Sequence, residues 1–315
     1  ADTYTIKDFG ATDYYHLTIA GVDSTDIFQL AGALVNASGS TMTVSGGTFS
    51  LNSQNWTMTG VTLSNTATIQ QVGSETITGL TQDTDSGTWK YTATSSSYTV
   101  TDYGATDYYN LTIAGSGGTF TLGGSLAVAG AMTLSAGTFN ANGQTNTVTG
   151  TATVSGGTYS ASTATQTFGG LTVSGGTYTG STGALDVNGN VSLTSGTLTA
   201  PNASFTVSGD WSRTSATFTP GTYTVTFDGS TTQSLNSGGT SFYSLTHSGS
   251  GTLSLSSNAL TVSNTLTNSG GIFSLAGQNL TVSTTFSNTA TMQLIGSETT
   301  SLTQDTNSGT WKYVG

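Results

Sequence analysis

Apolar side chains recur along this chain in short polar–apolar–polar phrases. Between residues 117 and 219 the phrases GGTFT, AGTFN, GGTYS, GGTYT, SGTLT and SATFT centre on Phe120, Phe139, Tyr159, Tyr178, Leu198 and Phe218, which are 19 or 20 residues apart. Alternation with a period of two is the mark of a strand with one buried and one wet face. Gly or another small residue precedes each phrase and allows a tight corner. A strand and a corner at a fixed interval near 20 residues predict one coil of a parallel β-solenoid, because a lone coil cannot bury its apolar row and a stack of coils can. An antiparallel sandwich also has short alternating strands, but does not require near-identical phrases at a fixed interval. The expectation is therefore an all-β parallel solenoid of about 15 coils, some 75 Å long at the inter-strand spacing of parallel β-structure. The usual crossover chirality makes it right-handed.

Longer repeats overlie the short one. Residues 3–21 (TYTIKDFGATDYYHLTIAG) return 94 positions later as SYTVTDYGATDYYNLTIAG, and SETITGLTQDTDSGTWKY (74–91) returns as SETTSLTQDTNSGTWKY at 297–313. These define two modules in one solenoid, 1–94 and 95–315, the second lengthened by inserted coils. Joining residue 315 to residue 1 gives WKYVGADTYTIKDFGATDYY, which nearly reproduces the internal WKYTATSSSYTVTDYGATDYY. Three explanations follow: the chain is one period of a longer repeat polypeptide, separate copies stack end to end, or the terminal coils simply coincide with module boundaries, against which the missing caps speak. An open coil presents unpaired backbone groups and an uncovered apolar row, and no amphipathic capping helix is evident at either end. Head-to-tail contacts that do not close into a ring give open fibres. Tyr4, Ile6 and Phe9 at one end, with Trp311 and Tyr313 at the other, are the candidate interface, with Trp89 and Tyr98 as their internal counterparts.

Composition narrows the function classes. The 315 residues include 43 Gly, 2 Pro and no Cys, and 4 Lys and Arg stand against 15 Asp and Glu, a net charge of −11. Nucleic-acid binding requires clustered cations to neutralise phosphates, and Lys7, Lys90, Arg213 and Lys312 are scattered. An anionic membrane surface is disfavoured for the same reason, and no run of 18 apolar residues exists to span a bilayer. Without Cys there are neither disulfides nor thiolate ligands. A Lys-poor chain rich in Thr, Ser and Gly suits an exposed, protease-rich setting, and Ala1-Asp2 suits a mature end left by a signal peptidase.

Candidate chemistry is sparse. Asp8/Asp13 and Asp102/Asp107 could form the carboxylate pairs a glycosidase needs, but each also reads as a turn residue. His16 is replaced by Asn110 in the second copy, and His247 stands alone. No enzyme is expected. Asp83, Asp85, Asp305 and Asn307 alternate oxygen ligands before a Gly, a pattern calcium can use. The same residues read as Asx turns leading to Trp89 and Trp311. The pairs Tyr14/Tyr15 and Tyr108/Tyr109 read either as aromatic platforms for sugar rings or, by alternation, as one ring inside and one outside. Thr flanks several of the inward residues. Such flat Thr-x-Thr arrays resemble those of ice-binding solenoids, but Asn140 and Ser160 interrupt the array, and Thr is also a good exposed strand residue.

The phrases TFGGLTVSGGTYTG, GALDVNGNVSLTSGTL and TSFYSLTHSGSGTLSLSSNALTVSNTLTNSGG resemble the repeats of large secreted bacterial β-solenoid surface proteins, including adhesin-like ones. The resemblance implies an extracellular structural or adhesive role and supplies no catalytic residue. The sequence thus points to a filament-forming structural protein that partners itself head to tail, without a cofactor. The alternative is a surface adhesin that binds glycans through exposed aromatics.

Overall fold

A computed structural model describes residues 2–315. No helix occurs among them, and the strands, mostly three or four residues long, are joined by Gly-, Ser- and Asn-rich corners. The chain makes about 16 turns roughly 20 residues apart. It divides into two compact units, Ala1–Gly150 and Thr151–Gly315. The modules 1–94 and 95–315 are a separate division, set by repeated phrases and not by compactness.

The first unit is a parallel solenoid. Thr3–Ile6 lies on Ile27–Leu30, which lies on Thr48–Ser50, and Thr68–Gln71, Thr88–Tyr91, Asn110–Ile113 and Met132–Leu134 follow in one ladder. A second ladder runs through Leu17–Ala20, Thr41–Gly46 and Thr62–Asn65. Register is fixed by alternation, since a slip of one residue would turn every inward side chain to solvent. Phe120 accordingly sits opposite Phe139 with Thr119 opposite Thr138, and both Phe rings are fully buried. Burying a ring of this size stabilises the fold by about 1.5–3 kcal/mol, which is how a coil without helices holds its shape.

The second unit repeats the design. Tyr159 pairs with Tyr178, Tyr178 with Leu198, and Leu198 with Phe218, while the flanking Thr177, Thr197 and Thr217 stack beside them. Within each unit the apolar residues read from the sequence are thus physically stacked, and their parallel pairing excludes the antiparallel sandwich. Arg213 closes a corner of this unit, its guanidinium donating to the carbonyls of Ala216 and Gly238 (2.5 and 2.7 Å).

Polar ladders run inside the unit as well. The Asn268 side-chain amide donates to Asn288 Oδ1 (2.8 Å) and to the Thr291 carbonyl (3.0 Å), so its own Oδ1 remains to accept from His247 Nδ1 at 2.9 Å. That network assigns the proton of neutral His247 to Nδ1. Nε2 is left buried without a partner. Burial lowers the His247 pKa, and the Asn268 hydrogen bond opposes that shift only in part.

Candidate functional site

The acidic residues singled out by sequence serve the corners of the coils. Asp8 and Asp102 each accept an amide from the Gly two residues on, 2.7 Å from Gly10 and 2.8 Å from Gly104. Asp13 accepts from the amide of Phe9 and, across to the next coil, from that of Val35, both at 2.7 Å. Asp107 does the same with Tyr103 and Ala127. Burial raises the Asp107 pKa in spite of these amides. His16 and Asn110 occupy one position in the two copies and do one job: His16 Nδ1 accepts the Thr41 amide at 3.0 Å and Asn110 Oδ1 accepts the Ala131 amide at 2.8 Å.

The calcium candidates are engaged in the same way. Asp83 accepts the Asn65 and Asp85 amides, and Asp305 accepts those of Asn288 (3.0 Å) and Asn307 (2.9 Å). The Asn288 and Asn307 amides lower the Asp305 pKa. Ser86 and Ser308 complete the clamp by donating to the carbonyls of Asn65 and Asn288. Gly87 and Gly309 follow at φ +72° and +71°, where a Cβ would stand 2.3 Å from the Asn65 and Asn288 carbonyl oxygens, so only glycine fits. Each loop borders an open cleft, one of about 470 Å³ beside residues 61–64 and one of about 360 Å³ beside residues 284–287. No group of three or more His, Cys, Asp or Glu that could hold a metal occurs among the described residues.

The aromatics separate sharply by position. Tyr108 is 1% exposed while Tyr109 is partly covered, and Tyr15 is 60% exposed while Tyr14 is partly covered, so alternation sets one ring in and one out. The large apolar side chains exposed among the described residues are Tyr4, Phe9, Tyr15 and Val22 in the first coil, Ile295 and Tyr313 in the last two, and Tyr223. Six of these seven thus lie in the coils at the two ends of the chain.

Both end coils have an open ladder. Leu17–Ala20 pairs on one side only, with Thr41–Gly46, and Thr310–Tyr313 pairs on one side only, with Thr291–Leu294. Beside the last strand lies a cavity of about 220 Å³ lined by Leu294, Thr300, Leu302, Gln304, Trp311 and Tyr313. The indole N–H of Trp311 has no partner. In the first coil Phe9 and Tyr14 form an edge-to-face pair with ring centroids 5.6 Å apart. Tyr4 stacks on Phe28 at 5.0 Å, and Lys7 Nζ lies 5.5 Å above the Phe9 ring. Among the sequence-predicted interface residues Ile6 is the exception: it is already buried, opposite Leu30. Sequence reasoning missed Tyr14, Leu17, Ile295, Leu294 and Leu302 as members of these end surfaces. The 94-residue repeat carried the signal for the first two, since it aligns them with buried Tyr108 and Leu111.

These features define a parallel β-solenoid with amide-clamped corners and two uncovered end coils. Comparison with known proteins finds no matching family model, no matching curated protein and no matching solved structure. The likeness to secreted surface repeats gains no support from those comparisons, and what stands is the solenoid of repeating coils.

Proposed function

We propose that this chain is a structural protein of the extracellular space whose copies stack head to tail, the last coil of one against the first coil of the next. The observation that carries the reading is the internal pairing of Thr88–Tyr91 with Asn110–Ile113, whose repeats are Thr310–Tyr313 and residues 16–19, together with the concentration of exposed large apolar side chains in the coils that hold those repeats. A contact between unlike ends that does not close propagates into a fibre. Glycan adhesion through aromatic rows is the weaker reading, because Tyr223 alone among the exposed aromatics lies outside the end coils. An extracellular setting rests on composition: no Cys and 4 Lys and Arg in 315 residues.

The test is sedimentation and electron microscopy of the purified chain, with a denaturing gel of the same sample. Fibres that dissociate into single chains on denaturation are expected. Discrete particles at all concentrations would overturn the proposal.

A further inference from the structure

Resting on that reading, we infer the register of the junction: Thr310–Tyr313 of one copy pairs in parallel with residues 16–19 of a second copy, Thr310 opposite His16, Trp311 opposite Leu17, Lys312 opposite Thr18 and Tyr313 opposite Ile19. The molecule contains its own template. Inside the first unit the same TWKY phrase, Thr88–Tyr91, is followed by Asn110–Ile113, the repeat of residues 16–19, with Thr88 opposite Asn110, Trp89 opposite Leu111, Lys90 opposite Thr112 and Tyr91 opposite Ile113. The proposed junction maps that pairing onto Thr310–Tyr313 and residues 16–19, the repeats of the two template strands.

The aromatic side chains fit the mapping, while His16, in place of Asn110, does not repeat the Asn110 amide bond to the Gly87 carbonyl (3.0 Å). In the internal join Tyr103 and Tyr108 meet edge to face at 5.7 Å and both pack on Trp89, at 6.3 and 6.1 Å. Phe9 and Tyr14, which stand at those two positions in the first coil, already hold the same edge-to-face pair at 5.6 Å. The surface that would receive them, the cavity beside Trp311 and Tyr313, is open. The hydroxyls match too. Tyr108 donates to the Thr101 carbonyl at 2.9 Å, so the 2.9 Å contact between Tyr108 and Tyr91 uses the Tyr91 proton. Tyr14 donates to the Lys7 carbonyl at 2.8 Å, the repeat of the Thr101 bond, and its oxygen is left to accept from Tyr313. Exposure changes in the required sense: Tyr313 is 69% exposed and its template Tyr91 is fully buried. Gly296 completes the fit. A Cβ at its template, Gly73, would lie 2.9 Å from the Tyr98 side chain, whereas Gly296 is open toward solvent and stands where Tyr4, the repeat of Tyr98, would land.

Because the chain has no cysteine, disulfide trapping reads the register directly. Adjacent strands place paired Cα atoms about 4.8 Å apart, inside the span a disulfide bridges, and a slip of two residues widens this to about 8 Å, outside it. The double variant Lys312→Cys/Thr18→Cys uses outward-facing positions and is compared, under mild oxidation, with Thr310→Cys/Thr18→Cys. The inferred register predicts a reducible ladder of covalent multimers from the first pair and at least tenfold less from the second. Multimers from the second pair, or fibres by sedimentation with neither pair cross-linked, would overturn the register while leaving head-to-tail stacking intact. Failure of both variants and of the unmodified chain to sediment as assemblies would overturn the stacking and the register together.

Discussion

Tyr313→Ala is the substitution whose effect the geometry sets most clearly. The ring is 69% exposed in the isolated chain and its counterpart Tyr91 is 0% exposed. A tyrosine offers about 200 Å² for burial, so assembly would cover about 140 Å² of this side chain. At about 25 cal/mol per Å² the gross gain is about 3.5 kcal/mol. Part of that area is hydroxyl, and the alanine keeps its Cβ, which leaves about 2–3 kcal/mol per junction. Each 1.4 kcal/mol is tenfold in affinity, so association should weaken about 30- to 150-fold. The assay is the concentration at which fibres first sediment, measured beside Tyr223→Ala, a 41%-exposed tyrosine outside the end coils. Folding stability of the dispersed chain should change by less than about 0.5 kcal/mol, as for other surface changes. A shift under threefold for Tyr313→Ala, or an equal shift for Tyr223→Ala, would refute the reasoning.

Two predictions concern the fold itself. Tyr178 is fully buried and its hydroxyl has no hydrogen-bond partner, so Tyr178→Phe should stabilise the chain by about 1 kcal/mol, whereas Tyr91→Phe, which removes a buried hydroxyl pair, should destabilise it by about 1 kcal/mol; urea titrations of both variants test the difference in sign. His247 has a lowered pKa because it is buried, so the unfolded chain takes up its proton first: the stability His247 contributes is complete above about pH 6.5 and is lost as pH falls from there through the folded-state pKa. His247→Asn, which extends the Asn268–Asn288 ladder, should flatten the fall in urea midpoint between about pH 7 and 5, and an unchanged slope would contradict the assignment.

Much of the fold was legible because the repeat is enforced residue by residue. Phe120 over Phe139 and Tyr178 over Leu198 are in the sequence as a fixed interval and in the structure as paired positions. The Asx turns at Asp83 and Asp305 were legible for a similar reason: a local side-chain-to-amide bond needs only local sequence. Asp13 and Asp107 were harder. Their carboxylates also reach amides about 20 residues away, at Val35 and Ala127, and such a partner can be named only once the inter-coil register is known. His247 read as a solitary residue for the same reason, its Asn268 partner lying one coil on. The exposure of Phe9 and Tyr313 beside the burial of Tyr108 and Tyr91 was not readable from near-identical phrases, because burial depends on which strands lie beside a coil and not on its own residues.

The most direct test of continued pairing is amide hydrogen exchange, resolved by residue, in the dispersed and the assembled chain. In the internal join Asn110 donates to the Gly87 carbonyl and Ala114 to that of Tyr91, while Thr88 and Thr92 donate back to Ala67 and Gln71. Odd-numbered residues of that strand therefore turn toward the following coil. In the last strand Thr310 and Val314 donate back to Ala290 and Leu294, which leaves the Trp311 and Tyr313 amides facing the open edge. Thr18 and Ala20 face the open edge of the first coil by the same alternation. With pairing continued across the junction, these four amides exchange fast in the dispersed chain and become protected on assembly, with Thr310 and Val314 changing little. Fibres in which Trp311, Tyr313, Thr18 and Ala20 still exchange at the dispersed rate would contradict it.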